Sequence, residues 1–322
     1  MLRGEGMGSV YGSLRRMVLE SPPGTIARNA IDLQQFNHAA TLLEKSAERF
    51  GWSLLNSGIL EEIRRKKRAE TLYILGSGSS VNALDNDFWE RVEPQVSVGI
   101  NNWTLHTFVP DIYAVEPVSE KHKHLVPKFA PEVNHYNHLH LLGRRSVLES
   151  NAIVICLAPR TEWENSQIMA MPPQMRARTY VYYRYTPVTR ARKNYTRDLR
   201  SGIKMAERYS SGLITPDSGA TLFRLISMAP LLGFREIVLV GIDLTTRYFW
   251  QEGEASLVSQ NLKFFDQPMK GELHETLSTS NRPFTIINGI AALLPLLSER
   301  GVKIRTVSYP SGLTSLYGLE SG

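Results

Sequence analysis

Cysteine is nearly absent from the chain: Cys156 is the only one in 322 residues. A single thiol excludes an internal disulfide and a cysteine-based zinc cluster. Its setting, Ala152-Ile-Val-Ile-Cys156-Leu157, reads as a buried strand, so the thiol is expected to pack rather than to react. Long apolar runs are missing too. None reaches the roughly 20 residues of a membrane helix, and residues 1–21 carry no hydrophobic signal core; a cytoplasmic protein is expected. The third glycine of the dinucleotide fingerprint, the Gly-Lys-Ser/Thr of a P-loop and the His-Glu-x-x-His of a metalloprotease are also lacking. Neither sign of charge dominates. Lys and Arg total 37 against 31 Asp and Glu, a net charge of +6. That mild excess suits phosphate-bearing ligands or peripheral contact with an anionic membrane, and equally an ordinary soluble enzyme. Nothing points to disorder, internal repeats or a nucleic-acid partner.

What is present is a 42% hydrophobic chain, enough for one large or two modest domains. Residues 1–70 read as a helical N-terminal extension. Leu33, Phe36, Ala40, Leu43, Ala47 and Phe50 recur at helix spacing, then Leu54, Leu55, Ile59 and Ile63, with Gly51 and Gly58 as expected breaks. Arg64-Arg-Lys-Lys-Arg68 closes the segment; it reads as a helix end whose cations complement the helix dipole, with lipid or nucleic-acid phosphate as the alternative. Strands are expected at 71–75, 95–100, 111–115, 152–157, 179–185, 236–240 and 303–307, with helices at 219–232 and 286–300. Strands alternating with helices predict an α/β fold: a Rossmann-like, GT-A-like, mostly parallel sheet with helices on both faces over residues 71–322.

Ligands of such sheets bind beyond the carboxyl ends of the strands. Leu72-Tyr-Ile-Leu-Gly76-Ser-Gly78-Ser-Ser80-Val-Asn82 runs a strand into a glycine-serine turn. Gly76 and Gly78 permit close approach of backbone to ligand, Ser79 and Ser80 supply hydroxyls, and a following helix start offers N–H groups to a phosphate; an ordinary tight turn explains the same residues. Asn101-Asn102 can grip a ribose, base or carboxylate, or simply turn the chain. Glu116 and Asp243 also stand at strand ends. Asp217-Ser218-Gly219 precedes an apolar helix, with Asp217 or Ser218 as the expected N-cap. Five histidines lie between His122 and His140 in a polar stretch that reads as a solvated loop. His274 lies in another polar segment, and its pKa suits a general base if it reaches a site.

In order, these motifs resemble those of the bacterial sialyltransferases of glycosyltransferase family 42. Gly76-Ser-Gly78-Ser-Ser80-Val is similar to that family's strand-end turn, though Ser79 replaces its proline. Asn102-Trp103 resembles its second-strand asparagine and aromatic. Asp217-Ser218-Gly219, then Leu232-Gly-Phe-Arg-Glu236-Ile-Val-Leu-Val-Gly241-Ile-Asp243, is the nearest local match. The resemblance spans about residues 71–310. It implies inverting transfer of a sialic-acid-like or Kdo-like sugar from a CMP donor to a glycan or glycolipid acceptor. The CMP-sugar is a co-substrate, with no cofactor and no metal. It also implies His274 as the base in a lid at about 245–285. Thr245 stands where the family has a tyrosine on the leaving phosphate, and Tyr248 is the nearest candidate for its second tyrosine. The same strand-turn features and Pro110-Asp-Ile-Tyr-Ala-Val-Glu116 also resemble the MptE-like domain, which implies a pterin pyrophosphokinase using ATP and magnesium, with Glu116 and Asp243 as metal ligands. A non-catalytic nucleotide-binding protein is the third reading, with the basic, aromatic run Arg176–Arg184 as a docking face.

Overall fold

The computed structural model describes residues 22–117, 119–120, 142–187, 192–209, 212–244, 249 and 285–307. Nine strands form one sheet: β1 (Ser53–Leu54), β2 (Thr71–Leu75), β3 (Val96–Ile100), β4 (Ile112–Val115), β5 (Ile153–Leu157), β6 (Thr179–Tyr185), β7 (Ile214–Pro216), β8 (Glu236–Val240) and β9 (Lys303–Thr306). Their order is β1-β6-β5-β4-β3-β2-β8-β9, with β7 also on β6. Every pairing is parallel. The helices among the described residues are α1 (Pro22–Phe50), α2 (Ser57–Lys67), α3 (Asn86–Val92), α4 (Arg145–Glu149), α5 (Glu162–Met169), α6 (Pro173–Arg176), α7 (Arg192–Arg208), α8 (Thr221–Met228) and α9 (Ile286–Glu299).

The strands are apolar at nearly every position because both faces of the sheet are covered. Alternation decides which face each residue serves. Leu72, Ile74, Val98, Ile155, Ile237 and Leu239 pack with Leu60 of α2, Leu199 and Ile203 of α7, Ile226 of α8 and Leu293 of α9. Tyr73, Leu75, Tyr113, Val154, Val238 and Val240 face the other way, onto Phe36 and Leu43 of α1, Phe88 and Val92 of α3 and Ile168 of α5. Cys156 belongs to this second core and is fully buried, which pushes its thiol well above the usual range. It packs, as its apolar strand predicts.

The helical N-terminal region is bound into the same sheet. β1 pairs with β6 through Ser53↔Tyr180 and Leu54↔Val181. β7 continues that line, its Leu213 N–H donating to the Leu55 carbonyl at 2.6 Å. Gly51, at φ +71°, ends α1 as expected. Gly58 does not interrupt anything; it lies in the first turn of α2, whose cap is Asn56 accepting from the Ile59 N–H at 3.1 Å. The basic end of α2 is a helix terminus tied to the protein at several points. Lys67 donates to the Glu93 and Gln95 carbonyls and pairs with Asp111, and Lys66 pairs with Glu62.

Candidate functional site

From β2 to β6 the chain walks across the sheet in one direction; it then returns to place β8 on the opposite side of β2. The sheet therefore reverses its winding between β2 and β8, and the crevice beyond the carboxyl ends of those two strands is where open α/β sheets hold ligands. All the strands are parallel, so the turns at 76–80, 101–102, 116, 217–219 and 241–243 share one edge.

The turns after β2 and β8 are locked together. The Gly76 N–H donates to the Val240 carbonyl at 2.7 Å and the Gly78 N–H to the Gly241 carbonyl at 2.8 Å. A methyl group on Gly78 would sit 2.3 Å from Asp243 Oδ2 and 2.8 Å from the Gly241 oxygen; one on Gly76 would sit 2.3 Å from Ile242 Cδ1. The glycines are needed here for the approach of the second turn, which corrects the expectation that their missing side chains face a ligand. Ser80 is likewise engaged inside the protein. Its N–H donates to Asp243 Oδ2 at 2.8 Å and its hydroxyl donates to Asp243 Oδ1. No α-helix begins at this turn; residues Ser79–Ala83 form a short 3-10 turn. Ser79, half-buried, stands beside this lock.

Phe249 closes the turn from above. Its N–H donates to the Ser77 carbonyl at 3.0 Å, its carbonyl accepts from Asn82 Nδ2 at 3.0 Å, and its ring is fully buried. It meets Trp103 and His106 at centroid distances of 5.7 and 5.1 Å. His106 itself stacks on Trp103 at 4.3 Å and 20°. Burial, and to a lesser degree Arg144, push its imidazole down to about 3. It is a neutral ring whose Nδ1 accepts the Phe108 N–H at 3.0 Å. Sequence reading passes over His106 because a lone histidine near a strand end carries no pattern; the flanking Trp103 and Phe108 are the only signal.

One strand over, Asn101 starts a 3-10 turn (Asn101–Leu105) after β3 in the left-handed region, at φ +46°. Its Oδ1 is buried with no partner among the described residues. A strained backbone at a strand end with an unspent amide oxygen is a site signature. Asn102 is half-buried beside it.

Glu116, after β4, joins a cluster that the sequence does not announce. Arg224 of α8 has a fully buried side chain. Its Nη2 pairs with Glu116 Oε2, its Nη1 pairs with Asp217 Oδ1 at 2.8 Å, and its Nη2 reaches the Thr221 hydroxyl oxygen at 3.0 Å. Arg184 of β6 sends Nη1 to Asp217 Oδ2 at 2.9 Å and Glu116 Oε1 at 3.4 Å. Burial pushes the Asp217 carboxyl up, but the two guanidiniums and the Gly219 N–H outweigh it and hold the group below its ordinary range. Asp217 is thus a partner of buried arginine rather than the N-cap of α8, which is Ala220. Ser218 and Gly219 form the turn between them, half-buried and exposed respectively.

Glu116 and Asp243 are not brought to one cation. They follow β4 and β8, three strand spacings apart, or roughly 14 Å, and each is committed to other partners. Among the described residues no three His, Cys, Asp or Glu side chains gather as a metal site. The chain carries one Asp-x-Asp spacing, Asp85-Asn86-Asp87, and its Asp85 is spent on capping α3, accepting the Phe88 N–H at 2.8 Å. His274, Thr245, Tyr248, nearly all of the expected lid and His122–His140 lie outside the described residues. No described helix is long and apolar enough to cross a membrane.

No protein-family model matches the chain, and no curated protein matches it significantly. Among solved structures, the sialyltransferase Cst-II from Campylobacter jejuni, in complex with the substrate analogue CMP-3FNeuAc, is 15% identical over 78% of this chain and 86% of its own, with a TM-score of 0.36. The monofunctional α-2,3-sialyltransferase Cst-I from the same organism is 14% identical over 79% and 81%, with a TM-score of 0.38. Cst-II in complex with a trisaccharide acceptor and CMP is 16% identical over 77% and 85%, at 0.35. The likeness is loose and concerns the general arrangement of the chain.

Proposed function

We propose that the chain is an inverting glycosyltransferase that moves a sialic-acid-like or Kdo-like sugar from a CMP donor to a glycan or glycolipid acceptor. The observation that carries this reading is the placement of the glycine-serine turn. It stands at the point where the sheet reverses its winding, beside a strained Asn101 whose buried amide oxygen has no partner among the described residues. The order of motifs along the sequence supplies the choice of donor.

In this reading the Ser79 N–H and hydroxyl receive the CMP phosphate, Asn101 and Asn102 hold the donor sugar with its carboxylate, and Ser218-Gly219, bound to Asp217, stand on the acceptor side with Arg184 rather than at the donor carboxylate. Ser80 and Asp243 shape the turn without touching the nucleotide. Thr245 and Tyr248 lie next in the chain for the leaving phosphate. The acceptor hydroxyl attacks the anomeric carbon in line as the bond to the phosphate oxygen breaks. Its proton passes to His274, and CMP departs with its charge stabilised by hydrogen-bond donors. No step requires a metal.

Isothermal titration calorimetry with CMP, CMP-sialic acid, CMP-Kdo and ATP, each with and without magnesium, tests the proposal. Binding of CMP and of one CMP-sugar, unchanged by EDTA, is the expected result. Magnesium-dependent ATP binding without CMP binding would replace it with the pyrophosphokinase reading.

A further inference from the structure

The buried charge cluster has an open end. Arg184 uses Nη1 for both Asp217 and Glu116, while its Nε and Nη2 have no partner among the described residues. Its side chain is 29% exposed, whereas that of Arg224 is fully buried. Sequestering Arg224 with two carboxylates carries a desolvation cost, and Arg184 is the member held by this base at the ligand edge. A guanidinium fixed on one side, with two donors free on the other, is the geometry that receives an oxyanion bidentately.

We propose that Arg184 is the anion-recognising residue of an acceptor subsite, one that takes a sugar carrying a carboxylate or a phosphate. Position along the edge selects the acceptor over the donor. Glu116, which Arg184 touches, follows β4, two strand spacings from β2, or roughly 10 Å. That is beyond the span between phosphate and carboxylate in a single CMP-sugar, and Asn101 on β3 lies between. Its place as an acceptor subsite rests on the transferase reading; the anion contact itself does not.

Saturation-transfer NMR on the full chain, with and without CMP, tests it using N-acetylneuraminate, glucuronate, glucose 6-phosphate and neutral lactose as probes. At least one anionic sugar is expected to bind the unmodified protein and to lose at least tenfold in affinity in both Arg184→Met and Arg184→Lys. The lysine variant keeps a cation for Asp217 but loses the planar fork, so it guards against a folding defect, which a thermal melt also reports. The carboxylate and phosphate probes separate the two sources of anion, and lactose is expected to be indifferent to the variants. Failure of every anionic sugar to bind, or equal binding by both variants, overturns the inference while CMP binding leaves the transferase reading standing. Arg184-dependent anion binding without CMP binding would instead sustain the contact and remove the transferase.

Discussion

Asp243 takes both donors of Ser80, the backbone N–H at 2.8 Å and the side-chain hydroxyl, across the junction between β2 and β8. The two residues therefore work as one unit. Asp243→Ala should destabilise the protein by about 1–3 kcal/mol, since it strands a half-buried N–H. Combined with Ser80→Ala the losses should fall short of additive by about 0.5 kcal/mol or more. Urea denaturation of the two single variants and the double variant checks this; strictly additive losses would contradict the coupling. Gly78→Ala should disturb the same unit, because the added methyl meets Asp243 head on.

The Arg224 cluster gives a second expectation. Asp217→Asn removes one of the two carboxylates on a guanidinium with no exposed surface, and because Glu116 still pairs with that guanidinium the loss should be about 1–3 kcal/mol. The pH dependence has a definite sign. Asp217 titrates below its ordinary range in the folded protein, so its contribution is complete above the unfolded value of about 3.9 and is lost as pH falls through the folded one. Acid unfolding curves of Asp217→Asn should lack that component.

His106 acts in a different pH window. Its folded pKa of about 3 lies below the unfolded 6.5, so the unfolded chain binds the extra proton between those values. Stability is full above about 6.5 and declines as pH drops, by roughly 2 kcal/mol on reaching pH 5. Denaturant midpoints measured from pH 7.5 to 5 should show the decline in the unmodified protein. In His106→Phe it should flatten, although that variant leaves the Phe108 N–H without its acceptor.

His274 carries the catalytic prediction. If it accepts the acceptor's proton, His274→Ala should lower the turnover number by about 10²–10⁴-fold with donor affinity nearly unchanged. Steady-state rates paired with CMP-sugar titrations separate the two effects. Retention of more than about half the rate would end the base assignment.

The sheet was legible in the sequence because its central strands are apolar on both faces. Residues 71–75, 179–185 and 236–240 read as strands and are strands to the residue. β1 and β7 were not legible. With two and three residues, neither shows a period, and both exist because β6 offers them one edge to share. The site was legible as positions at strand ends and misread in its detail. Gly78 and Ser80 look like ligand contacts locally, but their partner Asp243 is 163 or more residues away. Arg224 sits inside an apolar helical run, and only the fold brings Glu116 and Asp217 to it.

The reversal between β2 and β8 also governs how the chain can be synthesised and cut. Thr71 and Glu236 are neighbours in the sheet yet 165 positions apart. A nascent chain has all of β2 long before β8 exists, and meanwhile one side of β2, an interior strand of the finished sheet, is a bare edge of unpaired N–H and C=O groups, the surface that templates aggregation. Fragments ending before about residue 240 should therefore precipitate or bind chaperones rather than fold as a smaller version of the protein. Dissection of this protein by C-terminal truncation would take β9 and β8 from one end of the sheet and turn β2, apolar on both faces, into an edge.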